Sequence, residues 1–318
     1  MFEKQHKALL QWYDVCGRKH LPWRNLGFVN GSYGVYISEI MLQQTQVSSV
    51  LGYYERFLQR FPTLHSLSLA SEDEVLVLWA GLGYYSRAKN LLKTAKILKE
   101  ALPNTKEALL KLPGIGEYTA GAILCFGFGQ SVAFFDTNIK RFLMRFFALQ
   151  NPKEKQLQEF AQKFLNTKDS FNHNQALLDL GALVCIASNP RCNICPLYDF
   201  CQGKNEISKH TLKKQISYEQ IQMHLGIFEQ NGRVAMLRDE KWNHLFSFPE
   251  ISPKDRQAFA TLKHTRTKYK IQVLLYHLSA QPTDTQMIEK DSEKYPMSSL
   301  SLKVLKVLEK KSLENLSF

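Results

Sequence analysis

The 318-residue chain has no apolar run long enough to cross a bilayer, and its first twenty residues, MFEKQHKALLQWYDVCGRKH, are polar and amphipathic rather than signal-peptide-like. These absences predict an intracellular, cytoplasmic protein with no membrane partner. Cysteine is scarce, six in all, and a reduced compartment argues against disulfides. Acidic residues are outnumbered, 29 against 41 Lys and Arg, which leaves a formal charge of +12 and favours a polyanionic partner such as nucleic acid. Neither end carries a strongly basic amphipathic helix, so an anionic membrane surface is the poorer match. There is no internal repeat and no low-complexity tract. What remains is ordinary globular composition, 44% hydrophobic and 22% charged, at a length that suits two domains or one large one.

Up to about Cys201 the apolar spacing is helical. SEIMLQQTQVSSVLGYYERFL places Ile37, Ile40, Val47, Val50, Leu51, Tyr54 and Leu58 on one face, with a polar Gln43-Gln44-Thr45 run interrupting it. SEDEVLVLWAGLGYY opens on a capping box, Ser71 to Glu74, and stops at Gly81-Leu82-Gly83. SRAKNLLKTAKILKEAL buries Leu91, Leu92, Ala95 and Leu98. TKEALLKLPGIGEYTAGAILCF reads as helix, tight turn, helix, and DTNIKRFLMRFF as a short helix capped by Asp136. After the cysteines the pattern changes. GKNEISKHTLKKQI is polar and basic and reads as a linker. MHLGIFEQNGRVAMLRD alternates about Asn231-Gly232, a hairpin signal, KYKIQVLLYHL is a strand and SSLSLKVLKVLEKK a last helix. The expected organisation is a helical domain over 1–203, a linker over 204–216 and a smaller α+β domain over 217–318.

Cys185, Cys192, Cys195 and Cys201 concentrate four of the six thiols in one stretch, spaced C-x6-C-x2-C-x5-C. Four thiolates satisfy either a tetrahedral zinc or an iron–sulfur cluster. Only Cys192 and Cys195 form a close pair, which suits a larger cluster wrapped by one loop, but the spacing leaves zinc open. In LPGIGEYTAG, Gly114 and Gly116 flank Ile115, so the backbone can turn tightly and aim amides from the start of a helix at a phosphate. Glu39 lies among Tyr36, Ile37, Ile40, Met41 and Leu42, and a carboxyl in apolar surroundings keeps its proton and serves as a general acid. Asp136 is a helix cap, expected to be held ionised by backbone N–H groups. An acid beside a carboxylate is the arrangement that breaks a glycosidic bond.

The cysteine spacing after LLDLGALVC, together with LPGIGEYTAG, resembles the iron–sulfur, helix–hairpin–helix DNA glycosylases of the endonuclease III-like superfamily, over about the first 203 residues. The resemblance implies a mainly α glycosylase fold and a [4Fe–4S] cluster held by the four cysteines, with Gly114, Ile115 and Gly116 contacting DNA phosphate. Bifunctional members carry a lysine in the hairpin where this chain has Tyr118. Tyr118, MLQQTQV, LPWR, GLGYYSR and the extra C-terminal domain resemble the MutY branch, which removes adenine opposite 8-oxoguanine. That likeness implies Glu39 as the acid protonating adenine at N7, Tyr118 assisting, and Asp136 stabilising the sugar cation. It implies that Gln175 faces the flipped adenine, that Trp23 and Arg24 line its pocket, and that Gln43, Gln44, Leu82 and Tyr84 meet the duplex around the lesion. The partner is duplex DNA bearing adenine opposite 8-oxoguanine, the protein a nucleoid-associated monomer.

The C-terminal domain resembles the MutT fold but lacks its paired glutamates, so no nucleotide hydrolysis is expected there. The branch's Phe-Ser-His lesion-reading stretch falls on Arg266-Thr267-Lys268, where only the hydroxyl of Thr267 is kept, and Arg266 and Lys268 are candidates for holding phosphate. Two other readings stand beside this one. An endonuclease III-type pyrimidine glycosylase and lyase conflicts with Tyr118, and a non-catalytic iron–sulfur DNA-binding protein conflicts with the pairing of Glu39 and Asp136.

Overall fold

The apolar periodicity of the first two hundred residues becomes a run of helices whose ends follow their capping chemistry. The computed structural model describes residues 2–24, 26, 28–210, 217–253, 256–291 and 293–315, so most of the polar linker lies outside the described residues. The chain divides into two compact units, one formed by 1–68 and 93–214, the other by 69–92 and 215–318.

In the first unit α1 (Glu3–Cys16) packs on α11 (Ser170–Leu183), and α2 (Phe28–Leu42) packs on α3 (Val47–Arg60). The reading of 38–58 as one continuous helical face is corrected: the helix stops at Leu42 and restarts at Val47, with Gln44 in the left-handed region at φ 56°. The polar run that interrupts the apolar face is therefore the break between two helices. Ile37, Ile40, Val50 and Tyr54 are buried as expected, and Phe57 joins them where Leu58 does not. After α4 (Leu64–Ser68), α5 (Glu72–Leu78) and α6 (Ser86–Leu98), the helix–turn–helix is α7 (Lys106–Leu110) and α8 (Glu117–Ala122), which runs on into a π-turn over Ile123–Gly127. Gly127 lets that turn lie against α2, since a Cβ there would stand 2.7 Å from the Cα of Ser32. α9 (Thr137–Phe146) is capped by Asp136, and α10 (Glu154–Phe164) completes an apolar core built with α1 and α11 around Leu143, Leu157, Phe164 and Leu180.

The second unit carries two sheets. In one, β1 (Glu219–Ile227) runs parallel to β6 (Tyr269–His277), which pairs antiparallel with β5 (Ala260–Arg266). In the other, β2 (Glu229–Gln230), β3 (Arg233–Asp239), β4 (Leu245–Ser247) and β7 (Gln286–Glu289) are antiparallel about β3. The Asn231-Gly232 turn joins β2 to β3 with φ of 51° and 73°, as the hairpin signal predicts. The predicted last helix is α12 (Ser299–Asn315). Within this unit the capping box of α5 forms as read, and Asp73 in its first turn pairs with Arg238 at 2.5 Å.

Candidate active site

A cleft of about 1060 Å³ opens in the first unit, lined by residues from α2, α3, α8, α9 and α11 and the turns between them. Glu39 comes from α2, Tyr118 from the first turn of α8, Asp136 from the cap of α9 and Gln175 from α11, so four separate elements deliver the side chains singled out in the sequence to one wall. Trp23 and Arg24, in the short 3-10 turn Pro22–Arg24, line it too; both are buried, and the Trp23 ring meets the Tyr54 ring edge-on at 5.3 Å.

Glu39 is 6% exposed. Burial pushes its carboxyl up to about 7; a hydrogen bond donated by the Tyr118 hydroxyl opposes the rise, the negative charge of Asp136 adds to it, and Arg24 opposes it. Burial and the two neighbouring carboxylates hold the Tyr118 hydroxyl far above its ordinary range, so it stays a donor. Asp136 accepts from the backbone N–H of Asn138 at 2.9 Å, from that of Ile139 at 2.7 Å, and from the Asn138 amide at 2.7 Å. The sequence reading expects these donors to dominate. Instead, burial outweighs them and leaves the Asp136 carboxyl above the ordinary aspartate range. The negative charge that Asp136 carries when ionised is among the causes that raise Glu39. Two carboxyls of one cleft thus sit in different surroundings, Glu39 raised to about 7 by burial and Asp136 bonded by backbone and amide donors that work against its own burial, which suits general-acid chemistry beside a developing cation.

Behind this wall lies a polar network that sequence reasoning missed. Asp179, fully buried on α11 one turn after Gln175, accepts from Arg24 at 2.7 and 2.8 Å and from the Arg18 backbone and Nε, each at 2.8 Å. Burial pushes the Asp179 carboxyl up, but the bonds and charges of Arg24 and Arg18 outweigh that and hold it below the ordinary range. The Tyr13 hydroxyl, beside Arg24, donates to Gln175 Oε1 at 2.6 Å. The available signal was the i, i+4 spacing of Gln175 and Asp179, which puts both on one helix face.

The other candidates fall at the edges. Gln43 Nε2 donates to Thr119 Oγ1 at 3.3 Å and to the Gly114 carbonyl at 3.4 Å, tying the end of α2 to the hairpin, while Gln44 is exposed. Gly114 takes φ 77°, Gly116 caps α8, and the Ile115 side chain is buried between them. In the second unit, Tyr84 is 47% exposed at φ 48°, while Leu82 is buried and does not face solvent. Tyr85 is buried and donates to the Met297 carbonyl at 3.1 Å, a packing role. Thr267 is exposed at φ 52° in the β5–β6 turn. Arg266 there donates to the Lys241 carbonyl at 2.6 Å and lies 4.5 Å from the Trp242 ring, and Lys268 pairs with Glu219 at 2.5 Å, so both cations are engaged inside their own unit.

Cys185, Cys192, Cys195 and Cys201 surround a separate cavity with Phe142, Phe146, Val184 and Leu197. Among the described residues no three His, Cys, Asp or Glu side chains close on a single ion. Four soft ligands spread around an apolar hollow fit a cluster larger than one ion. Arg145, 3% exposed, sets its guanidinium 3.5 Å from Cys185 Sγ while donating to the Ile186 carbonyl at 2.7 Å, a fixed positive charge beside the thiols. Burial pushes the Cys195 thiol up to about 12, so Cys195 would hold a cluster as a thiolate only with the positive charge that bound iron would supply.

Residues 37–167 match the HhH-GPD superfamily of base excision DNA repair proteins, and residues 185–201 the iron-sulfur binding domain of endonuclease III, so the loop holds an iron–sulfur cluster, [4Fe–4S] in that family. The chain is 39% identical over 285 residues to the adenine DNA glycosylase of Buchnera aphidicola subsp. Baizongia pistaciae, covering 85% of this chain and 80% of that one. It is 40% identical over 220 residues to the adenine DNA glycosylase of Homo sapiens, covering 64% of this chain and 40% of the human one. Among solved structures it resembles a thermostable thymine-DNA glycosylase, at 25% identity and a TM-score of 0.59 over 64% of this chain and 95% of that one. It shares the fold of endonuclease III trapped covalently on DNA, at 20% identity and a TM-score of 0.55 over 65% of this chain and 99% of that one.

Proposed function

This chain belongs to the adenine DNA glycosylases of base excision repair, and on that premise we propose that it releases adenine paired with 8-oxoguanine or guanine in duplex DNA by hydrolysis alone. The observation that carries the reading is the pair of carboxyls on one cleft: buried Glu39, raised to about 7, and Asp136, which accepts hydrogen bonds from two backbone amides and the Asn138 side chain.

The duplex is held through phosphate contacts at Gly114–Gly116, and the adenine leaves the stack to enter the cleft. Glu39 gives its proton to N7 of the purine. The C1′–N9 bond then breaks, its electron pair leaving with the base, and the sugar becomes an oxocarbenium ion. The Asp136 carboxylate stabilises that cation until water adds at C1′ and returns a proton to the site. Among the described residues lining the cleft there is no lysine; at the hairpin position Tyr118 donates to Glu39. Without an amine to attack C1′, the reaction ends at an abasic site with the strand intact. The second unit reads the base opposite adenine, with Thr267 at the tip of the β5–β6 turn as its lesion contact, and the iron–sulfur loop supports DNA binding.

Incubation with a duplex carrying adenine opposite 8-oxoguanine tests this. The expected result is free adenine, strand breakage only after alkali, and no protein–DNA adduct on borohydride treatment. Breakage without alkali, or a borohydride adduct, supports a lyase instead, and binding without base release supports a non-catalytic protein.

A further inference from the structure

Gln175 carries both a donor and an acceptor, and which end meets the base decides what the cleft recognises. Its surroundings settle the choice. Tyr13 is 2% exposed, and its hydroxyl touches two polar side chains: the Arg24 guanidinium at 3.4 Å and Gln175 at 2.6 Å. A guanidinium only donates, so the hydroxyl proton can be accepted only by Gln175 Oε1. Were the amide turned the other way, its NH2 would face a buried hydroxyl whose own proton had no acceptor, the costly arrangement of two donors head to head. Arg24 cannot swing aside to relieve this, because both its terminal nitrogens are tied to the fully buried Asp179.

We propose that Tyr13 is a positioning residue: through a one-way relay from Asp179 and Arg24 it locks the Gln175 amide with its NH2 toward the cleft, so that the enzyme greets the extruded base with a donor and demands a ring-nitrogen acceptor. This rests on the adenine reading above and deepens it. Tyr13 itself touches no substrate; it sets the polarity of a group that does. Burial raises the Tyr13 hydroxyl, the charge of Arg24 opposes the rise and that of Asp179 adds to it, and the net rise keeps the proton the relay needs.

The relay is read first in DNA-free protein, without turnover, so failure of the adenine reading cannot be mistaken for failure here. Tyr13→Phe is expected to shift and double the Gln175 side-chain amide resonances as both orientations become populated; a single unshifted pair overturns the proposal. In single-turnover release of adenine opposite 8-oxoguanine, Tyr13→Phe is expected to be roughly tenfold slow at unchanged duplex affinity. Combined with Gln175→Ala it adds nothing to the loss from Gln175→Ala alone. Losses that multiply, or a wild-type rate for Tyr13→Phe, overturn it. Should Tyr13→Phe fail to fold, 3,5-difluorotyrosine at position 13 keeps the shape but loses its proton at lower pH. Once its phenolate absorbance appears, the oxygen can only accept, the amide turns, and adenine release falls below that of the wild type at the same pH; a pH profile that superimposes on the wild type's overturns the relay.

Discussion

The cleft of the first unit and the β5–β6 turn of the second are both expected to meet a damaged pair, yet they treat charge in opposite ways. In the cleft, Glu39, Arg24 and Asp179 are buried and each is tied to a partner that fixes its protonation or direction. In the turn, Arg266 and Lys268 lie near the surface in a stacked pair and an exposed ion pair. Buried charges dominate both chemistry and stability because water does not screen them; exposed pairs contribute little to either. The comparison therefore ranks substitutions by burial before anything is known of substrate.

The largest effect belongs to Glu39→Gln. It removes the proton donor at unchanged shape, and the rate of adenine release is expected to fall by about 10²–10⁴-fold in single-turnover assays while duplex binding persists. Retained turnover would take Glu39 out of the acid role. In the wild type the rate should decline as pH rises through about 7, since the protonated form is the active one. Stability follows the same group. A carboxyl whose folded value lies above its unfolded value binds more protons folded than unfolded, so stability is lost as pH rises from about 4.5 toward 7. Glu39→Gln, inactive, is accordingly expected to be the more stable protein at pH 8, on the order of 3 kcal/mol at most, checked by denaturant melts at pH 5 and pH 8. Buried His173 pulls the other way: burial, with the nearby His6, holds its ring down to about 3, so its contribution is lost as pH falls below 6.5.

That Glu39 and Asp136 were candidates was legible in local patterns, an apolar helix and a cap, whereas Tyr118 was singled out by the family resemblance; the structure brings all three to one cleft. The network behind it was not legible. Tyr13, Arg18 and Arg24 meet Gln175 and Asp179 across about 160 residues of chain, and nothing local to either segment announces a partner so distant. Asp136 shows the same limit in energy. Its cap was readable, but the burial that outweighs the cap is a property of the assembled cleft. The helix break at Gln43–Gln46 was written as a polar interruption, and reading it as one helix failed because the flanking apolar residues happen to keep phase across it.

Asp179→Asn sharpens the comparison from the stability side. Two arginines share this one carboxylate, and neutralising it leaves the buried Arg24 guanidinium without its counter-charge. A loss of about 3–5 kcal/mol is expected, read as a shift in the denaturant midpoint. A near-neutral result would mean that the relay beneath Gln175 is held by packing instead of charge.

The smallest effects fall at the turn, and there the two regions separate cleanly. Thr267→Ala removes one exposed hydroxyl, and Lys268→Ala one exposed ion pair, so neither is expected to move Tm measurably. If Thr267 is the group that reads 8-oxoguanine, its loss should lower the preference for adenine opposite 8-oxoguanine over adenine opposite guanine by roughly tenfold, the worth of one hydrogen bond, while the bond-breaking step on a saturated duplex stays at the wild-type rate. Lys268→Ala, whose ammonium already belongs to Glu219, should leave that preference unchanged. An equal loss from both variants would point to general charge on the turn, and no loss from either would place lesion reading elsewhere in the second unit. Because chemistry and discrimination reside in different side chains, a variant that slows bond breaking and alters the base preference together would show that the turn and the cleft do not act separately.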